Sequence, residues 1–207
     1  GKGQFYVGNP DLKPEKSLSY ELSVEKDWGD RSTVHLGVFR SEVKDLISTY
    51  WTGKLTDDDP DLYPGVKGDQ VMAYKNIPEA TLQGVELYGS HRLGKNIYLN
   101  AGYTFLDAKD KTNGTRLKDR AKHQVTFGVS YQPENIYAWD LSFDLVSNLG
   151  YYFNNGDKST MGNFVYETKD FTIANIMASR HLNKDTKIYL GIDNISKGFF
   201  LKIIDFR

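Results

Sequence analysis

The side chains of this chain that could do chemistry gather in a few polar segments. Arg116, Lys118, Arg120 and Lys122 occupy alternate positions of one such segment. A basic cluster of this kind can attract an anion, either a ferric chelate or the phosphate of lipopolysaccharide, although a solvated rim is the plainer reading. Tyr151, Tyr152 and Phe153 could stack on a catecholate, while a girdle of rings at a membrane interface explains them more simply. From these two segments the candidate ligand contacts are Arg116, Arg120 and Tyr152. The run Asp57, Asp58, Asp59 and Asp61 lacks the Gly and terminal Glu of an EF-hand loop, so it reads as a solvated surface and no metal site is expected. His35, His91, His123 and His181 are too scattered in sequence to form an obvious haem or zinc set. Asp140 and Asp144, four apart on an extended chain, would stand about 13 Å from each other, too far for a glycosidase pair. No Ser/His/Asp elbow, phosphate loop or nucleotide fingerprint is present. The expectation is a non-enzyme with no cofactor.

The elements that must position these residues are strands. In AWDLSFDLVSNLGYYF (138–153) Trp139, Leu141, Phe143, Leu145, Leu149, Tyr151 and Phe153 fall on odd positions, against Asp140, Ser142, Asp144 and Asn148 on even ones. A period of two means an extended chain with one oily and one wet face. Soluble strands average about five or six residues, whereas Trp139 to Tyr151 at ~3.3 Å per residue and a tilt of about 40° rises roughly 30 Å, close to the apolar band of a membrane barrel. Tyr137 and Trp139 then belong at one interface, Tyr151 and Phe153 at the other. Leu145 should face lipid and Asp144 the lumen.

The same alternation recurs over 17–28, 33–41, 97–105, 125–131 and 187–193, more weakly near Val85 and Leu87 and over 171–181. With 138–153 these make eight strands. Gly, Pro, Asn and Asp punctuate short turns at 27–32, 92–96, 132–135 and 182–186. Long polar loops are expected at 45–75, 107–120 and 154–168. Short and long connections alternate, which an outer-membrane barrel requires and a soluble sandwich does not.

Whole-chain properties agree. The 207 residues carry a net charge of -1 and their basic residues form no single block, so nucleic acid is not an expected partner. Mean hydropathy is -0.53 and no apolar run approaches the roughly 20 residues of a spanning helix. Tyr (14) and Phe (11) favour strands, and the lack of Cys removes disulfides and thiolate sites. The opening GKGQFY, without Met or signal peptide, fits a mature product or a fragment.

Five segments then become familiar. GNPDLKPEKS (8–17) leading into SYELSVEKDW, QGVELYGSHRL (83–93) after YKNIPEA, AGYTFLDAK (101–109), AKHQVTFGVSY (121–131) and GIDNISK (191–197) resemble, in order, segments of TonB-dependent outer-membrane receptors. Ferric siderophore receptors are the most similar group, with colicin and cobalamin receptors close behind. The resemblance implies an all-β antiparallel transmembrane barrel of about 22 strands, of which residues 1–207 would be a C-terminal part holding eight or nine. It implies bacterial outer-membrane localisation, contact with lipid and lipopolysaccharide, a ligand such as a siderophore, and a link to TonB through a plug domain absent from this chain. After GIDNISK the family continues into a closing strand, while this chain ends LKIIDFR, so Phe199–Arg207 reads as loop, with a short ninth strand as the lesser option.

Two other readings stay open. Eight strands could close by themselves into a small structural or adhesion barrel, in which the first and last strands would pair. A soluble β-sandwich would instead bury Phe143 and Leu145 against a second layer.

Overall fold

The computed structural model describes residues 4–66, 68–154, 166–195 and 200–205. They form one ten-stranded sheet. Nine strands follow one another as an antiparallel meander: β2 (Lys16–Trp28), β3 (Ser32–Leu55), β4 (Gln70–Leu93), β5 (Ile97–Asp110), β6 (His123–Tyr131), β7 (Asp140–Asn154), β8 (Tyr166–His181), β9 (Thr186–Ile192) and β10 (Phe200–Asp205). The short β1 (Gln4–Val7) lies parallel to the start of β4, with Phe5 opposite Val71. Beyond one 3-10 turn at Thr56–Asp58, no helix occurs among the described residues.

Within the described residues β2 and β10 are the sheet's outer strands and do not pair, so the sheet is open rather than a closed eight-strand barrel. No second layer covers it either, since every described strand belongs to this one sheet.

β10 corrects the reading of Phe199–Arg207 as loop. Residues 200–205 pair antiparallel with β9, Leu201 opposite Leu190 and Ile203 opposite Ile188. The segment FLKIID lacks a clean period of two, so its pairing partner rather than its own pattern makes it a strand.

Two expected loops also shrink. β3 and β4 are 24 residues each, so the connection expected over 45–75 is only 56–69. Twenty-four residues at ~3.3 Å extend nearly 80 Å, far past an apolar band of about 25 Å. Beyond the band neither face is rewarded for being oily, and DLISTYWTGKL and QVMAYKNIPEA accordingly lose the alternation. The loop expected over 107–120 is likewise a tight reversal: β5 continues to Asp110, whose N–H donates to Thr115 O at 2.9 Å, and Lys109 bridges Arg116 on the return. The loop expected over 154–168 falls mostly on 155–165, outside the described residues.

At the opposite end the strands are joined by the short turns 29–31, 94–96 and 182–185, as their composition predicts, while the turn expected at 132–135 runs on to 139 and β7 starts two residues later than its alternation suggests. Gly29 (φ 64) and Gly94 (φ 65) adopt the left-handed backbone that two of these hairpins require.

The segment 8–15 carries the chain from β1, beside β4, to β2, on the far side of β3. Asn76 of β4 anchors it: its Oδ1 accepts from Lys13 N at 2.9 Å, and its Nδ2 donates to Lys13 O at 3.0 Å and to Asp45 O at 2.7 Å. Asn9 Nδ2 donates to Tyr74 O at 3.0 Å, and the Glu15 carboxylate accepts from Ile47 N. The residues of NPDLKPE and of YKNIPEA are thus two halves of one crossing. Asp45 sits at φ 56, opposite Pro78, where the two long strands change character.

Candidate functional site

The register assigns every strand residue a face. Leu22, Val38, Val85 and Phe105 lie side by side across β2 to β5, and Phe127, Leu145 and Ala174 across β6 to β8. Leu22 is 71% exposed and Val24 67%, although soluble proteins rarely leave so continuous an apolar surface bare. Among the described residues, charges on this face stand only near its ends. Lys26 and Arg180 are close to the short turns, where long side chains can reach water, and Arg40, Glu42, Asp107 and Lys109 lie towards the long-loop end. Tyr103, Phe105 and His123 form an aromatic group at that upper edge, with Tyr103 Oη 2.8 Å from His123 Nδ1. Tyr137 and Trp139 fall in the connection at the short-turn end, Trp139 beneath the Arg180 guanidinium at 5.5 Å.

The opposite face is polar. Glu21, Glu25, Glu86, Asn100, Thr126 and Asp144 fall on it by register, so Asp144 and Leu145 stand on opposite sides as their alternation predicts. A concave pocket of about 700 Å³ lies here, lined in part by Glu25, His35, Tyr88, Asn100 and Asp144. His35 Nδ1 is 3.8 Å from Glu25 Oε2. Asp140 is engaged nearer the turns, accepting from Lys187 Nζ at 3.3 Å and Ser179 Oγ at 3.4 Å.

Towards the long loops this face gains a small apolar core. Ile77, Ala80, Ala108 and Leu117 are buried together, with Val43, Leu46, Leu82 and Leu106 against them. Leu117 N donates to Ala108 O at 2.9 Å, so the segment after the β5 reversal runs as an irregular extension of β6.

The strict alternation expected through Phe153 breaks in β7. Gly150 has φ 62, and the pairing with β8 slips by one residue between Asn148, opposite Phe171, and Tyr151, opposite Lys169. A bulge of this kind exchanges faces. Tyr151 therefore leaves the apolar side and meets Phe171 edge-on, ring centroids 5.4 Å apart, instead of joining a lipid girdle. The Phe153 side chain lies outside the described residues.

That bulge also brings the three sequence-chosen residues together. Arg120 and Tyr152 form an isolated antiparallel bridge, with Tyr152 N donating to Arg120 O at 3.1 Å. The Arg116 guanidinium lies 5.4 Å over the Tyr152 ring and donates through Nη2 to Gly150 O at 2.6 Å and Arg120 O at 3.2 Å. Arg120 Nη1 donates to Lys118 O at 3.0 Å. Both arginines thus donate to main-chain carbonyls, Arg116 twice and Arg120 once.

Lys118 behaves differently. Its Nζ donates to Thr49 Oγ1 at 2.7 Å and to the Thr49 carbonyl, tying the β6 extension to the far part of β3. Burial holds its pKa below the ordinary lysine value, Asp119 opposes that shift and Lys75 adds to it. Lys75, opposite Ser48 in register and 5.4 Å over the Tyr50 ring, carries no sequence signal of this role. The acidic run is used locally: Asp58 Oδ2 accepts from Leu55 N at 2.7 Å and Asp59 Oδ1 from Leu62 N at 3.1 Å.

Comparison with known proteins matches residues 1–195 to the family model for the β-barrel of TonB-dependent receptor-like proteins. The chain belongs to this family of TonB-dependent receptors. It is 32% identical over 144 residues to the vitamin B12 transporter BtuB of Photobacterium profundum, covering 67% of this chain and 20% of that protein. It is 28% identical over 144 residues to an iron-regulated outer membrane virulence protein of Vibrio cholerae, covering 67% and 21%. The siderophore receptor PirA of Acinetobacter baumannii superposes with a TM-score of 0.61 at 21% identity, over 92% of this chain and 29% of that one. A mutant ferric enterobactin receptor of Pseudomonas aeruginosa gives 0.64 at 20%, over 93% and 28%. The chain thus spans about a fifth of the length of the curated relatives it matches. TonB-dependent receptors are receptors and transporters rather than enzymes, in accord with the lack of a catalytic motif.

Proposed function

We propose that this chain is a C-terminal part of the barrel of an outer-membrane receptor that takes up a ferric siderophore in a TonB-dependent manner. The observation that carries the reading is the two-sided wall: a continuous apolar surface from β2 to β9, charged only towards its ends, backed by a polar face. Hydrocarbon rewards the first, at roughly 1.5–3 kcal/mol for each large side chain fully covered. The second suits a lumen filled with water or protein. Its carboxylates Glu21, Glu25, Glu86 and Asp144 favour a plug domain with a basic surface, through which TonB would act. At the long-loop end Arg40, Lys44 and Lys109, on the outward side, suit lipopolysaccharide phosphates, and Arg116, which bridges Lys109, is offered with Arg120 and Tyr152 as a contact at the extracellular rim for an anionic ligand or for the same phosphates.

The likeness to a vitamin B12 transporter favours a corrinoid as the second reading. Uptake of labelled ferric siderophore and of cobalamin by cells whose only such receptor is the complete protein separates the two, and uptake of neither rejects both. This chain has no Cys, so in a receptor cleared of any Cys elsewhere single substitutions report topology cleanly. In intact cells a membrane-impermeant maleimide should label Thr112→Cys and spare Lys95→Cys. The reverse pattern inverts the barrel.

A further inference from the structure

On the apolar face, towards the short turns, lies an open groove of about 540 Å³. Gly89 and Ala101, opposite one another in register, form its floor, and the larger side chains of Trp28, Val34, Leu99 and Phe127 stand around it. We propose that this groove seats one anionic phospholipid of the periplasmic leaflet, an acyl chain lying over Gly89 and Ala101 and the head-group phosphate meeting Lys26 and His91. The inference rests on the receptor reading, which sets this face in hydrocarbon, and adds a partner for one patch of it.

Three observations support it. First, nothing in the sheet calls for the glycine. Gly inside a strand commonly marks a bulge, a bend or the close approach of a ligand or another backbone. The register with β3 and with β5 runs unbroken through Gly89, and its backbone is not left-handed. A Cβ there would find no atom nearer than 3.9 Å among the described residues, so the room opens outward. Second, a cation stands beside the groove. Lys26 shares a row with Val34 and Gly89, two strand spacings or about 10 Å from the latter. Among the described residues it makes no ion pair or hydrogen bond. No carboxylate occupies this row or the next one towards the turns from β2 to β8. Asp27, adjacent in sequence, belongs to the polar side, where its Oδ1 accepts from Thr33 Oγ1 at 2.6 Å. An anion relieves such a charge, and phosphate is the anion a bilayer offers. With no acid at hand for an ammonium group, the patch favours an anionic head group over a zwitterionic one. Third, polar side chains end the groove at head-group depth. Trp28, exposed one row nearer the turns than Lys26, stands where amphipathic rings settle in an interface. In its row Ser32 Oγ lies 2.7 Å from His91 Nδ1. With the hydroxyl donating to Nδ1, the ring hydrogen is on Nε2, available to a phosphate oxygen.

The test is native mass spectrometry of the complete receptor in detergent, with phosphatidylglycerol or phosphatidylethanolamine of matched chains added. The expected result is one phosphatidylglycerol held more tightly than the zwitterionic lipid. Lys26→Met should lower the phosphatidylglycerol affinity about tenfold and remove the preference. Gly89→Leu fills the groove and should weaken both lipids, and the altered gel mobility of an unheated barrel checks that each variant is folded. Equal retention of the two lipids, retention indifferent to both substitutions, or a receptor dimer that forms as lipid leaves, overturns the lipid site. Siderophore uptake by cells carrying the native receptor would then leave the receptor reading standing. A complete protein that stays dispersed in buffer without detergent overturns both.

Discussion

The carbonyl oxygen of Phe105 stands where a Cβ on Gly84 would have to be, and the Phe39 ring closes the same space, its Cζ 2.7 Å from that point. Gly84→Ala must displace backbone or an aromatic ring, so we expect a loss of about 1–3 kcal/mol. Gly128→Ala meets the movable ends of Asn100 and Asp144 instead, and should cost less. Urea unfolding of the complete receptor in detergent compares the two, and equal losses would refute the packing argument.

Leu145 lies between Phe127 and Ala174 on the apolar face, and Asp144 lies between Gly128 and Asn175 on the polar one. Leu145→Arg should reduce stability in lipid by about 2–4 kcal/mol, with Asp144→Ala nearly silent. Similar effects at both positions would mean that the faces are assigned wrongly.

Asn76 uses its oxygen and both directions of its amide nitrogen on Lys13 and Asp45. Asn76→Asp keeps the shape but removes the donors, and it sets a carboxylate against two carbonyl oxygens. We expect a loss of about 1–3 kcal/mol, with earlier proteolysis of the 8–15 crossing. Unchanged protease resistance would show that the crossing is held by other contacts.

Burial holds the folded-state pKa of Lys118 below the ordinary lysine value of 10.5, so the unfolded chain binds more protons at that site. Stability should therefore rise with pH between the folded pKa and 10.5. Below that window the ammonium carries its full burial cost. Unfolding midpoints measured across the window should climb more steeply in the native receptor than in Lys118→Met. Parallel curves would remove the burial cost as the cause.

The sequence displays structure wherever two different solvents act on a strand. In β2, β5, β6 and the lower part of β7, lipid-facing and lumen-facing positions alternate, and the face of Leu145 can be read directly. Above residue 44 of β3 and before Pro78 of β4 that contrast vanishes, so residues 45–55 of β3 and 70–75 of β4 pass for loop. The Gly150 bulge hides in a pattern that still looks alternating, because LGYYF stays apolar on either count. Arg116 and Tyr152 are legible as types of residue. Their meeting is not, because it depends on the slip at Gly150 and on a reversal at Asp110–Thr115 that composition presents as a longer loop. Lys75 left no trace, since only its register with Ser48 and the Tyr50 ring beneath it place it in the far part of the long strands.

Among the described residues β2 is bonded along one side only, to β3, and its thirteen residues are exposed throughout. In hydrocarbon each amide or carbonyl without a partner costs several kcal/mol, so this strand cannot wait in the bilayer for its neighbour. Entry of the wall into the membrane and capture of the adjoining strand must then be a single event, which makes assembly of the barrel all-or-none at this seam.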